Sequence, residues 1–137
     1  MTLKEFLNKG DVFAKNTGAR IVEVREGYAI AEMTVTEEHL NAGGVCQGGA
    51  LFTLADLAFA AISNSRGKLT FGLENTITFL RSAVVGDRLV AEATETLNHH
   101  KIPYCEIKVR NQNGDLVCVM TGIAYRKEKN MEFESLQ

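Results

Sequence analysis

The stretch from Gly48 to Ser65 constrains the fold of this chain more than any other segment. It contains no proline, is rich in Ala and Leu, and carries one charged residue, Asp56. Such a segment predicts a helix about 27 Å long, and the polar residues and glycine at 63–67 are typical of a helix end. Because a helix that is apolar nearly all round is buried on more than one side, we expect this one to be enclosed.

A helical wheel divides this segment into two unlike sides. The side away from Asp56 is expected to contact a sheet, and it carries Leu51, Leu54, Ala58, Ala61 and Ser65. The side of Asp56 holds no second charge; its other members are Gly49, Phe52, Thr53, Phe59, Ala60 and Ser63. Since one sheet covers only one side, we expect a second copy of the chain, related by a two-fold axis, to cover the other.

Strand patterns surround the long helix. The ranges 20–25 and 28–36 alternate around a turn signal, Glu26-Gly27, and predict a hairpin. After Gly67 the segments rich in Val, Ile, Thr and Phe predict four strands, Leu69–Leu80, Arg88–Leu97, Tyr104–Arg110 and Leu116–Tyr125.

The ends of the chain are expected to differ in structure. Residues 2–15 have helical spacing with an interruption at Gly10-Asp11, and the charged tail, 127–137, is expected to fray. The element order predicts one α+β domain over residues 1–137, with a core at about 15–126 and an antiparallel sheet wrapped around the central helix.

Composition excludes several classes of protein. A net charge of −2 gives no reason to expect nucleic-acid binding. The three cysteines are odd in number and form no C-x-x-C pair, so we expect free thiols in a reducing compartment. The N-terminus lacks the pattern of a signal peptide, and no apolar run is long enough to span a bilayer. We therefore expect a cytoplasmic protein without a membrane contact.

Two features of the central segment have a functional and a structural interpretation. Gln47, Gly48 and Gly49 stand where the helix begins, and its unpaired N–H groups could hold the oxygen of a polarised carbonyl. The same glycines could merely permit a tight turn. Asp56 is either an ordinary solvated carboxylate or a desolvated one with a raised pKa and a catalytic role.

Residues 41–56 carry a resemblance to a known family. The sequence NAGGVCQGGALFTLAD resembles the signature of hotdog-fold thioesterases of the phenylacetate-degradation (PaaI-like) type, Asn-x-x-Gly-x-x-His-Gly-Gly followed by an apolar helix with Leu-Ala-Asp. Matches at the same spacing are Asn41, Gly44, Gly48, Gly49, Leu54, Ala55 and Asp56. Residues 76–81, 85–87 and 113–117 are also similar, and the resemblance spans about residues 15–126.

The resemblance implies a hotdog fold and hydrolysis of an acyl-CoA thioester, without metal or other cofactor, by a homodimer or homotetramer. It implies that the thioester carbonyl accepts a hydrogen bond from Gly48 N–H. Asp56 of the neighbouring subunit would act as nucleophile or general base, with Asn41 orienting it or the attacking water. Substrate contacts are expected from Gly49, Phe52, Thr53, Phe59 and Arg81, with pantetheine lying between subunits.

One residue departs from the family pattern. Gln47 replaces the usual His before Gly-Gly, and a glutamine donates and accepts hydrogen bonds but carries no titrating proton. We expect this change to tune the rate. Cys46 is expected to be a packing residue, and His99-His100 are expected to be solvated turn residues rather than metal ligands. Lys101, Arg81 and Arg110 are unranked candidates for contacts with CoA phosphates.

Two other functions stay open at this stage. The first is a non-catalytic acyl-CoA-binding hotdog module, which the presence of both Asn41 and Asp56 disfavours. The second is a hotdog hydratase or dehydratase, an activity that generally requires a His with a carboxylate. Gln47 removes the obvious His.

Overall fold

The computed structural model describes all 137 residues and begins with two short helices. Helix α1 spans Leu3–Gly10 and α2 spans Val12–Thr17, so the chain is interrupted where the sequence predicts. Asp11 makes the interruption. Its backbone N–H donates to Leu7 O and closes α1, while its carboxylate accepts the Ala14 N–H and caps α2.

Six antiparallel strands form one sheet. They are β1 (Arg20–Arg25), β2 (Tyr28–Thr34), β3 (Lys68–Phe79), β4 (Arg88–Leu97), β5 (Tyr104–Arg110) and β6 (Leu116–Asn130). The order across the sheet is β1-β2-β4-β5-β6-β3, so β1 and β3 are the two edges. Helix α3, Gly48–Asn64, contacts all six strands. The prediction of an α+β hotdog fold, with the sheet wrapped around one long helix, is confirmed.

The sheet-facing side of α3 is the one predicted from the wheel, since Leu51, Leu54, Ala58, Ala61 and Ser65 are all buried. Small residues on the strands let the helix approach closely. Alanines of β2 and β4 face one another in register, as Ala29–Ala93 and Ala31–Ala91, and all four are fully buried. Burial of this apolar surface stabilises the fold.

The expectation that the tail frays is wrong. Strand β6 runs to Asn130, and Leu3 N–H then donates to Ser135 O at 3.0 Å. The Gln137 side chain accepts from Val24 N–H at 2.8 Å and donates to Val22 O at 2.9 Å. Apolar residues among the charges explain the difference, because Phe133 and Leu136 pack against the core.

Strand β3 is an exposed edge. One side pairs with β6, and no strand of the chain pairs with the other side. Apolar side chains at Phe71, Leu73 and Phe79 are exposed, with Leu73 62% exposed. A long apolar edge is normally paired or covered, because it otherwise favours aggregation. No helix of the protein has the length and apolar character needed to cross a membrane.

Candidate active site

The first turn of α3 leaves one backbone donor free. Gln47 is the N-cap residue, and its Oε1 accepts the Gly49 N–H at 2.7 Å. The Gln47 carbonyl accepts the Ala50 N–H at 2.9 Å. Gly48 N–H has no partner in the protomer. A single donor therefore points out of the positive end of the helix dipole, as expected for Gly48.

Close approach, rather than an unusual turn, explains both glycines. Neither Gly48 nor Gly49 has a positive φ, whereas Gly44 in the preceding loop has φ +80°. A Cβ on Gly48 would lie 2.9 Å from Phe79 Cζ, and one on Gly49 would lie 2.4 Å from Gln47 Oε1. The tight-turn interpretation therefore applies to Gly44, and Gly48-Gly49 give room to a neighbouring ring and to the helix cap.

A cleft of about 460 Å³ opens beside Gly48. It brings together three of the predicted site residues, Asn41, Gly48 and Arg81. Arg81 is half-exposed and lies 3.8 Å from the Asp115 carboxylate. Phe79 and Leu80 add an apolar wall that sequence reasoning missed, although they directly precede Arg81 in the chain.

A second cleft, of about 480 Å³, lies on the other side of the α3 start. It contains Gln47, Gly49 and Thr53 together with Asn41, so Asn41 borders both clefts. Phe13 of α2, 71% exposed, also lines it and was not predicted. Its position in the sequence could have indicated this, because Phe13 is a large apolar residue two positions after the Asp11 cap. A helix as short as α2 does not bury such a side chain.

A cleft larger than these two lies elsewhere on the protomer. It has a volume of about 630 Å³, is bordered by α2, β2 and β4, and is lined mainly by polar residues such as Lys15, Arg20 and Glu32. None of the predicted site residues lines it. Size alone does not identify the functional site here.

Asn41 holds the loop before α3 in shape. Its Oδ1 accepts the N–H of Gly43 at 2.9 Å and of Val45 at 3.2 Å, and its backbone N–H donates to Val45 O at 2.8 Å. The Nδ2 atom has no hydrogen-bond partner within the protomer, and Asn41 lines the cleft beside Gly48. Within one protomer Asn41 thus groups with Gly48 and not with Asp56.

Asp56 lies in neither cleft. It is exposed on the protomer, yet the atoms crowded around it raise the pKa of its carboxyl, with the Asp11 carboxylate as the second cause. It stands eight positions after Gly48 on the same helix, a rise of about 12 Å. The two groups of one chain are therefore too far apart to act on the same carbonyl.

The side of α3 around Asp56 is only partly open. Phe52 and Thr53 are half-buried, and the Thr53 hydroxyl donates to Gly49 O at 2.8 Å. Phe59 is buried, and a Cβ on Gly122 of β6 would lie 2.7 Å from its ring. Phe59 therefore packs inside the protomer, where it has no open surface for the substrate contact expected of it.

The remaining candidates have structural roles. Burial, and secondarily Asp87, raises the pKa of the Cys46 thiol, which favours the neutral form and a packing role. The rings of His99 and His100 stack on each other, 4.4 Å apart, in the loop between β4 and β5. No group of three or more His, Cys, Asp or Glu side chains is placed to hold a metal ion.

His39 connects two parts of the site. Its Nδ1 accepts the Thr36 N–H at 2.9 Å, so its Nε2 carries the hydrogen and donates to Thr17 O at 2.6 Å. Its carbonyl accepts the Gln47 N–H at 2.7 Å. This buried histidine fixes the end of α2 against the start of α3.

Comparisons with known proteins identify the family of this chain. The family model of the thioesterase superfamily matches residues 43–118. The acyl-coenzyme A thioesterase PaaI of Escherichia coli is 37% identical over 118 residues, covering 86% of this chain and 84% of that protein. Its structure superposes with a TM-score of 0.83 at 33% identity, covering 96% of this chain and all of that one.

Two further solved structures are similar. A mutant of PaaI from Thermus thermophilus has a TM-score of 0.82 at 31% identity, covering 85% of this chain and all of that one. A Streptococcus mutans protein bound to acetyl CoA has a TM-score of 0.78 at 26% identity, covering 81% and 90%. The chain belongs to the thioesterase superfamily, in its PaaI-like group with the hotdog fold.

Proposed function

We propose that this protein hydrolyses acyl-CoA thioesters to a free acid and CoA. The observation that carries the proposal is the free Gly48 N–H at the start of α3, in the segment that ends at Asp56. The E. coli relative is named an acyl-coenzyme A thioesterase, and the S. mutans structure holds acetyl CoA. These names support a CoA thioester as the substrate class.

Gly48 supplies the electrophilic half of the site. The thioester carbonyl accepts a hydrogen bond from its N–H, and the positive end of α3 stabilises the negative charge that develops on that oxygen. The Gln47 cap supports this role because it satisfies the Gly49 N–H internally and leaves the Gly48 donor alone to face the cleft.

Asp56 supplies the other half from a second subunit. The separation of about 12 Å along α3 rules out joint action of both groups of one chain. A two-fold axis that sets two α3 helices side by side and antiparallel brings Asp56 of one copy near Gly48 of the other. There the carboxylate attacks the carbonyl carbon or activates a water, and its raised pKa makes it a stronger proton acceptor.

Two exposed surfaces support a homodimer, or a homotetramer built from two such dimers, with the dimer as the smallest active unit. The unpaired edge of β3 exposes Phe71, Leu73 and Phe79, and Asp56 is exposed on its side of α3. A second copy that pairs along β3 would cover both surfaces at once.

The three cysteines are free and buried, which supports a reducing compartment such as the cytoplasm.

Assays on a panel of short, medium, long and aryl acyl-CoA thioesters test the activity. We expect hydrolysis of at least one class by the wild-type protein, and a loss of about 10²-fold or more in kcat for Asp56→Asn. Glu132→Gln is the matched control, because Glu132 is an exposed carboxylate with no ion pair.

The hydrolysis assays, together with measurements of acyl-CoA binding and of enoyl-CoA hydration, separate the rival functions. Full hydrolysis by Asp56→Asn contradicts the mechanism. Binding of acyl-CoA without turnover favours the binding module. Hydration of an enoyl-CoA in place of hydrolysis favours the hydratase.

A further inference from the structure

Asn75 is a polar side chain on the side of β3 that faces α3. The strand alternates, and two further residues of this side contact the helix layer. Ile77 packs against the core, and the Phe79 ring lies 2.9 Å from the position that a Cβ on Gly48 would occupy. Asn75 is half-buried and pairs in register with Gly122 of β6. An amide therefore stands where the alternation of the strand predicts an apolar side chain.

Two glycines leave room for this amide. A Cβ on Gly72 would lie 3.3 Å from Asn75 Oδ1, and one on Gly122 would lie 2.8 Å from Asn75 Nδ2. The amide is nevertheless poorly satisfied, because Nδ2 donates only to Met120 Sδ, at 3.7 Å, and Oδ1 has no partner in the protomer. A thioether is a weak acceptor, whereas an amide oxygen can accept two hydrogen bonds. The protomer thus holds a free acceptor at this place.

The Phe59 ring connects this amide to Asp56. The ring lies 3.2 Å from the position of a Cβ on Gly72 and 2.7 Å from that of a Cβ on Gly122, so the ring and the amide are neighbours. Asp56 precedes Phe59 by three positions on α3, and side chains at this spacing are adjacent on a helix surface. Helical side chains also lean toward the N-terminus, which brings the ring to the turn that carries Asp56. Asp56 and Asn75 therefore flank one ring.

A count along both elements agrees with this placement. The Phe79 ring meets α3 at Gly48, so both lengths start there. From Phe79 back to Asn75 is four residues of strand, a length of about 13 Å. From Gly48 on to Asp56 is eight residues of helix, a rise of about 12 Å. The two side chains thus stand at nearly the same level, next to the sheet edge that a second copy is expected to cover.

We propose that Asn75 Oδ1 and the Asp56 carboxylate together hold the water molecule that attacks the thioester. The inference rests on the proposed function and selects one of its two mechanisms, because it makes Asp56 the general base. A water molecule donates two hydrogen bonds. With Asp56 and Asn75 as the two acceptors, a lone pair of the water points toward the carbonyl carbon. Direct attack by Asp56 would leave the free acceptor of Asn75 without a function.

The reaction then has two steps. The water oxygen bonds to the carbonyl carbon while Asp56 takes one proton, and the π electrons of the carbonyl move to its oxygen, which accepts a hydrogen bond from Gly48 N–H of the other subunit. When the carbonyl forms again, the C–S bond breaks and the CoA sulfur takes the proton from Asp56. One water and one thioester give one acid and one thiol, and Asp56 returns to the carboxylate.

Hydroxylamine separates the positioning of water from a structural role, because it is a better nucleophile than water and converts the thioester to a hydroxamate. In the full-length protein, we expect Asn75→Ala to lower kcat for hydrolysis about 10²-fold with KM unchanged. Hydroxamate formation should fall less, so the ratio of hydroxamate to acid should rise about tenfold. A damaged fold would lower both products equally. Asn113→Ala is the matched control, since Asn113 is exposed in the turn between β5 and β6.

Single-turnover measurements distinguish the two roles of Asp56. With the enzyme in excess, CoA and the acid should appear at the same rate in both the wild-type protein and Asn75→Ala. A burst of CoA ahead of the acid would show direct attack by Asp56 and overturn the proposal. Unchanged hydrolysis by Asn75→Ala would also overturn it, as would equal losses of hydrolysis and hydroxamate formation.

A carboxylate at position 75 tests how near the two side chains are. Asn75→Asp keeps an acceptor for the water and places a negative charge beside Asp56, which raises the pKa of the Asp56 carboxyl. Asp11, the other carboxylate that acts on Asp56, is the same in both proteins. The acid limb of kcat/KM should therefore move to higher pH in Asn75→Asp and stay in place in Asn113→Asp. An unmoved limb in Asn75→Asp would overturn the proposal.

Failure of the proposed function would look different, since the wild-type protein would then hydrolyse none of the acyl-CoA thioesters. An NMR titration of the Asp56 carboxyl carbon, assigned with Asp56→Asn, compares the wild-type protein and Asn75→Asp without any substrate. A higher midpoint in Asn75→Asp supports the pairing of the two side chains, and an equal midpoint overturns it.

Discussion

Gln47 Oε1 accepts a hydrogen bond of 2.7 Å from Gly49 N–H, so the residue that departs from the family pattern caps its own helix. The contact needs a glycine at position 49, since a Cβ there would lie 2.4 Å from that oxygen. Gln47 thus has a structural function that requires no titrating proton. This explains how the sequence keeps the geometry of the α3 start without the usual histidine.

Removal of the cap should lower stability more than it changes the chemistry. We expect Gln47→Ala to lower the free energy of unfolding by about 1 kcal/mol, because the Gly49 N–H loses its acceptor. Gln47→Asn is the matched control, since asparagine is a favoured N-cap and should retain stability. Urea denaturation and steady-state kinetics measure both effects. Equal stability of Gln47→Ala and the wild-type protein would show that the cap contributes nothing.

Gly48 offers a way to delete one donor without deleting the helix. It is the first residue of α3, where proline is tolerated, and Gln47 already has the extended backbone that precedes a proline, φ −67° and ψ 139°. We expect Gly48→Pro to reduce kcat by about 10²- to 10³-fold, because it removes the proposed oxyanion donor.

Gly48→Ala controls for the added bulk in that experiment. Its Cβ meets the same Phe79 ring at 2.9 Å, but its N–H remains. We expect it to retain much more activity than the proline variant. Equal losses in the two variants would assign the effect to the clash with Phe79 and not to the lost hydrogen bond.

The acid limb of the pH profile should report on Asp56 and Asp11. Only the deprotonated carboxylate attacks or accepts a proton, so kcat/KM should fall as the pH drops through a pKa above the usual range of aspartate. The Asp11 carboxylate raises that pKa, so Asp11→Asn should move the limb to lower pH. Asparagine can still cap α2 in place of Asp11, which keeps the fold constant.

A pH–rate profile of both proteins measures the shift. Identical limbs for the wild-type and Asp11→Asn proteins would show that Asp11 does not act on the reacting carboxylate. A limb that moves to higher pH would contradict the assigned sign.

Sequence patterns predicted the elements well where turn signals bounded them. The limits of β1, β4 and β5 agree with the prediction to the residue, and α3 ends one residue early. The extension of β6 and the docked tail were missed because Phe133 and Leu136 are dispersed among charges. Their packing depends on contacts with the opposite end of the chain.

The motif residues of the candidate site could be predicted from the sequence, but the aromatic residues that line its clefts could not. Spacing along residues 41–56 is enough to group Asn41 with Gly48. Phe13 and Phe79 each lie more than thirty residues from Gly48 in the sequence, and only the folded chain brings them to the two clefts at the start of α3. Phe59 was assigned to the side of α3 that carries Asp56, but Gly72 and Gly122 leave room for its ring between β3 and β6.

The exposed edge of β3 makes a prediction about assembly. We expect Leu73→Lys to yield monomers, because a lysine on an edge strand opposes pairing with another strand. Leu97→Lys is the control, as Leu97 is similarly exposed but lies on β4 within the sheet. Light scattering coupled to gel filtration measures the mass, and circular dichroism confirms the fold. A dimer of Leu73→Lys with wild-type mass would place the interface elsewhere.

Complementation tests the central claim, a site formed by Gly48 of one subunit and Asp56 of the other. Asp56→Asn and Gly48→Pro chains carry different affinity tags, are co-expressed, and are isolated as mixed dimers by two successive purifications. If each site combines Gly48 of one subunit with Asp56 of the other, a mixed dimer has one intact site and one site in which both residues are altered. Its kcat per dimer should therefore be about half that of the wild-type protein, while both parent homodimers are nearly inactive. Mixed dimers no more active than their parents would contradict the account.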